Sequence, residues 1–106
     1  NEGGGGILGV AVRNLTRDQA QEVSAQLHLN GAQGVLVTDA QAGGFSSEMG
    51  LQRGDVILSI NQKPVTSVDD FNRVQTQLKS GSDVVFLVAR HTQRTFTTLF
   101  LADRLP

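Results

Sequence analysis

The residues Gly50-Leu51-Gln52-Arg53-Gly54-Asp55-Val56-Ile57-Leu58-Ser59-Ile60-Asn61 constrain the fold more than any other stretch of the chain. Arg53-Gly54 turns the backbone into a strand over Asp55 to Ile60, and Asn61-Gln62-Lys63-Pro64 has the composition of the turn that ends it. Around this strand the remaining periodicities are short. Ile7 to Val12, Gly34 to Thr38, Val84 to Arg90 and Thr95 to Leu101 read as four more strands, the last two joined as a hairpin through His91-Thr92-Gln93-Arg94. Two stretches have helical periodicity. Thr16 with Gln19 makes a capping box ahead of an Ala20, Val23, Leu27 face that Asn30-Gly31 ends; Ser67 with Asp70 makes another ahead of a Val68, Phe71, Val74, Leu78 face that Lys79 and Gly81 close. Ser46 to Gly50 is at most one helical turn. Five strands and two one-faced helices predict an α+β fold, a small antiparallel-rich β-barrel or sandwich covered by helices.

At 106 residues the chain has room for one core and no second. Asn1 to Gly6, with four glycines in a row, reads as a flexible linker or a cloning scar, leaving residues 7–106 as a single domain. The absence of cysteine excludes thiolate nucleophiles, thiolate metal sites and a disulfide framework. A net charge of -1 provides no general attraction to nucleic acid or to anionic lipid. The longest apolar run, Val84 to Ala89, is far short of the roughly 18 residues of a membrane span, and no signal-peptide pattern opens the chain, so a soluble, mature segment is expected.

Four patterns suggest chemistry and fail on context. Gly4-x-Gly6-x-x-Gly9 matches a dinucleotide fingerprint, yet it leads into a strand where the pyrophosphate would need a helix N-terminus. His28 and His91 have no partner at metal-ligand spacing. Ser46 and Ser47 lack the second glycine of a nucleophile elbow and a nearby His-Asp pair. Asp69 and Asp70 point about 100° apart on a helix and sit where first-turn acids stabilise its N-terminus. No catalytic or metal residue and no cofactor is expected.

Two segments resemble the PDZ domain family. Ile7-Leu8-Gly9-Val10 is similar to the family's carboxylate-binding loop, and residues 50–61 are similar to its G-L-x-x-G-D-x-I-L-x-I-N signature. The resemblance covers Ile7 to Leu101. A loop placed before the first strand, followed by a helix and then Gly34-Val35-Leu36-Val37, resembles the permuted bacterial form in HtrA/Do-type serine proteases, DegP and DegQ among them, and most of all their C-terminal, second PDZ. Gly44-Phe45-Ser46, where the family often has Ser-Pro-Ala, and Asn61-Gln62, where it has Asn-Gly, depart from the pattern.

The resemblance implies a non-catalytic module that takes up apolar C-termini or exposed β-prone segments by strand addition, a recognition mode for which PDZ domains are a standard example. It would serve substrate recognition or regulation for a periplasmic protease; the alternative is an assembly module docking another protease subunit. Partners would be peptide segments, the protease domain and the other PDZ of the parent chain, with no nucleic acid and no membrane span. Ile7, Leu8, Gly9 and Val10 would hold the peptide carboxylate, with Gly9 letting successive N–H groups converge on an anion. Ala11, Val12, Phe71, Val74, Gln75 and Leu78 would line the groove. For Val74 and Leu78, ordinary core packing competes with that role, and Gln75 is the better residue for specificity.

Overall fold

The computed structural model describes residues 2–3, 9–27, 34–41, 43–79 and 81–105. In chain order the elements are β1 (Glu2–Gly3), β2 (Val10–Asn14), α1 (Arg17–Leu27), β3 (Val35–Ala40), α2 (Phe45–Met49), β4 (Val56–Ile60), β5 (Lys63–Pro64), α3 (Val68–Gln77), β6 (Asp83–Thr92) and β7 (Thr95–Arg104). The strands form one antiparallel sheet in the order β1-β2-β3-β4-β6-β7, with β5 paired to β4. The expected class holds, with three differences. Two two-residue strands and the five-residue α2 join the five strands and two helices read from periodicity, and the sheet does not close into a barrel: its described path runs from β1 to β7.

Local chemistry accounts for the elements. The first capping box forms as expected: the Thr16 N–H donates to Gln19 Oε1 at 3.0 Å and the Gln19 N–H donates to Thr16 Oγ1 at 3.1 Å. Ala20 and Val23 are buried beneath α1; the Leu27 side chain and the Asn30-Gly31 ending lie outside the described residues. The second box is shifted. Ser67 Oγ accepts from the Asp70 N–H at 3.2 Å, but the Asp70 carboxylate reaches past Ser67 to the N–H and hydroxyl of Thr66. Helix α3 also stops earlier than Lys79 and Gly81 suggest, because Leu78 is already extended (φ -76°, ψ 143°), its N–H donating to the Gln75 carbonyl. The β6-β7 hairpin is longer than expected, since Gln93 and Arg94 alone make the turn, with φ of 48° and 71° as a two-residue type I′ turn requires.

The sheet buries both faces. One carries the larger core, with Phe71 of α3 and Phe86 of β6 fully buried among Val12, Val37 and Ile60; the other packs Val23 of α1 against Val56, Leu58 and Ala89. Gly34 shows how close β3 and β4 come: at φ +102° a Cβ there would stand 2.6 Å from Val56 Cγ1, so only glycine fits. The signature segment contributes a buried ion pair. Asp55, 2% exposed, accepts both Arg90 Nε at 2.9 Å and Arg90 Nη2 at 2.7 Å, while the same Nη2 donates to the Gly50 carbonyl. This fork ties the turn before β4 to β6 and raises the Arg90 pKa above its ordinary value.

Candidate functional site

The groove expected from the sequence would lie between β2 and α3, two elements whose Cα atoms come within 8 Å of one another. Gly9 precedes β2 with φ +65°, the left-handed conformation that turns an N–H away from the strand direction, and its carbonyl accepts the Gln41 N–H at 2.9 Å. A Cβ at Gly9 would meet nothing nearer than Gln41 Oε1 at 3.5 Å, so conformation rather than space calls for glycine there. Ile7 and Leu8 lie outside the described residues. A cleft of about 100 Å³ beside Gly9 is lined by Val10, Ala11, Asp39 and Gln41, and so opens along β2 and β3 rather than beneath α3.

The side chains assigned to the groove divide by face. Val10 and Val12 are buried and share the larger core with Phe71 and Val74, and Leu78 packs against them half-buried. Ala11, alternating with them along β2, is half-buried, as is Gln75 on α3. Thus the strand and helix expected to form the groove do come together. Phe71, with no exposed surface, and Val74, 8% exposed, are anchored in the core that seats the helix.

Two features beyond the sequence reading set the position of α3. Asn14, the last residue of β2, accepts the Val68 N–H through its Oδ1 at 2.8 Å, satisfying a first-turn donor of α3 from the opposite wall of the groove. At the other end Lys63 Nζ donates to Gln77 Oε1 at 2.8 Å. Neither pairing has a local sequence signal, because the partners are joined only by the fold.

The groove also contains part of the chain itself. β1 runs antiparallel to β2, with Glu2 opposite Arg13 and Gly3 opposite Val12, and Cα atoms of β1 and α3 come within 8 Å of one another. Residues within the expected linker thus occupy the edge of β2 that faces the helix.

The serine and histidine patterns set aside above stay apart from this site. Ser46 is fully buried, and His91 is exposed on the hairpin with its ring 4.8 Å from that of Phe96; His28 lies outside the described residues. Among the described residues no cluster of three or more His, Asp or Glu could hold a metal ion, and no helix is long and apolar enough to cross a membrane. Larger hollows of about 360 Å³ lie elsewhere, one between α1 and the β6-β7 hairpin and one beside Phe100 over β4, β6 and β7.

The PDZ domain family model matches residues 6–99. This chain belongs to the PDZ domain family. The PDZ domain is 36% identical over 96 residues to a probable periplasmic serine endoprotease DegP-like from Pseudomonas savastanoi pv. phaseolicola, covering 91% of this chain and 19% of that protein. It is 36% identical over 77 residues to the protein of the same name from Rhizobium meliloti, covering 73% of this chain and 14% of that one. The chain therefore spans less than a fifth of the length of these relatives. A solved structure, the HtrA3 PDZ domain bound to a phage-derived ligand (FGRWV), superposes with a TM-score of 0.62 at 17% identity, covering 97% of this PDZ domain and 91% of that chain. Its relatives are thus DegP-like serine endoproteases with periplasmic names, and its fold is that of an HtrA-type PDZ domain.

Proposed function

We propose that this PDZ domain captures extended peptide segments ending in an apolar residue, by adding them as an antiparallel strand to β2 beneath α3. The observation that carries this reading is β1: the edge of β2 that a peptide would need already accepts an antiparallel strand, in contact with α3. Main-chain bonds to β2 would supply affinity, Gly9 and Val10 together with Ile7 and Leu8 would turn N–H groups toward the terminal carboxylate, and Gln75 would sense a ligand side chain. Ala11, Val12, Phe71, Val74 and Leu78 would form the apolar floor and helix wall. In this reading the domain has no catalytic role and serves substrate recognition or regulation beside a periplasmic serine protease domain, as the C-terminal PDZ of its parent.

The pentapeptide FGRWV, bound by the HtrA3 PDZ domain, is a suitable first probe. Calorimetric titration should give a dissociation constant in the micromolar range, since roughly -8 kcal/mol is a generous net for ordering a short peptide. Amidating its C-terminus should weaken binding at least about tenfold by removing charge-assisted bonds. Equal affinity for acid and amide would reassign the groove to internal β-segments, and no heat at roughly millimolar peptide, across several apolar C-termini, would reject peptide capture.

A second reading, docking of another protease subunit, draws on the outer edge of the sheet. There Phe100 is 72% exposed on β7, an edge strand with no strand beyond it among the described residues. Binding confined to segments of the parent protein, with no response to free apolar C-termini, would favour it.

A further inference from the structure

We infer that the segment leading into the carboxylate loop competes with peptide for the groove, so that a ligand must displace β1 before it can pair with β2. The inference rests on the capture reading and adds a regulation of that same site. A strand edge can bond one neighbour at a time, and β1 already takes the edge of β2 on the side of α3. The direction of β1 matters. Passing from Glu2 opposite Arg13 to Gly3 opposite Val12, it runs toward the loop at Gly9, the course a peptide takes when its C-terminus ends at that loop. Only residues 4–8 separate β1 from Gly9, so the competitor is tethered beside its site and meets it at a high effective concentration.

The composition of the segment makes it a weak occupant. Directly opposed residues of an antiparallel pair project to the same face, so position 3 shares the face of Val12, which is buried with Phe71. Glycine there supplies backbone to the sheet edge and no side chain toward α3. A peptide bearing an apolar residue opposite Val12 would gain burial that β1 lacks, whereas a peptide with a small residue there would not displace it. The segment thereby raises the threshold for capture and selects for apolar ligands.

Three variants of the full 106-residue chain test this with FGRWV. Glu2→Pro with Gly3→Pro removes the N–H that faces β2 whichever of the two residues carries it, because neighbouring residues of a strand face opposite edges. It should bind at least about threefold tighter, the factor for a groove otherwise free a third of the time. Gly3→Val adds a side chain on the Val12 face and should bind at least about threefold more weakly, while Glu48→Gln, which only removes an exposed charge on α2, should match the parent. Amide exchange should report the same event without ligand, with the Val12–Arg13 stretch of β2 losing protection in the double-proline variant. Affinity and exchange indifferent to all substitutions would overturn the competition while leaving peptide capture intact. If no variant binds peptide, the capture reading falls and the competition with it.

Discussion

At Gly9 the backbone conformation, not the available space, decides what the position tolerates. With φ +65° and only ordinary contacts awaiting an added Cβ, Gly9→Val should keep a native circular dichroism spectrum yet lose FGRWV binding at least about tenfold, because a β-branched residue disfavours that conformation. Gly9→Asn, which enters the left-handed region more readily, should lose less. Loss of the folded spectrum in both variants would show that Gly9 serves the fold and not the loop. Asp55 and Arg90 pose the opposite case. Arg90→Met leaves a 2%-exposed carboxylate without its fork and should cost about 3 kcal/mol of stability, the low end for a broken buried pair because Arg90 is itself 23% exposed. Urea unfolding measures it, and a loss below about 1 kcal/mol would contradict the role given to the pair. Gly9 was legible from its motif. The Asp55-Arg90 pair was not, since nothing local in the sequence links residues so far apart.

Among the elements, α3 depends on capping from two directions: Asn14 reaches across from β2, while Ser67 and Thr66 act locally. The Asp70 pKa lies below the ordinary aspartate range, chiefly through the Thr66 hydroxyl bond, then the Thr66 N–H, which together outweigh desolvation, with Arg73 adding the least. A lowered carboxyl pKa contributes stability above the unfolded value, about 4, and loses it as pH falls through the folded value. NMR titration should therefore find Asp70 below the ordinary aspartate value, and Thr66→Val should raise it; an unchanged Asp70 midpoint in that variant would remove Thr66 as the cause. Both helix starts were legible because caps are local chemistry. The end of α3 was misplaced because Leu78 packs on the core and leaves the helix before the glycine signal at Gly81. β1 had no signal at all: a glycine-rich stretch has little strand preference, and β2 and α3 supply its setting.

For the molecule as a whole, the sequence indicated the family and a helix, α3, that packs beside β2, because residues 50–61 and the Phe71, Val74 face each follow a local pattern. It could not separate groove wall from core, since either role calls for one apolar helix face: Phe71 and Val74 seat α3 on the sheet, and the same seating fixes its distance from β2. The open sheet also leaves Phe100 exposed on β7, at the other end of the described strand order from β1 and β2, which gives the two functional readings separate elements. That separation makes one measurement decisive: NMR amide shifts of the uniformly labelled chain during titration with FGRWV. Peptide capture predicts saturable shifts concentrated in Gly9–Asn14 and Val68–Leu78, whereas shifts confined to β7, or none at millimolar peptide, would contradict it.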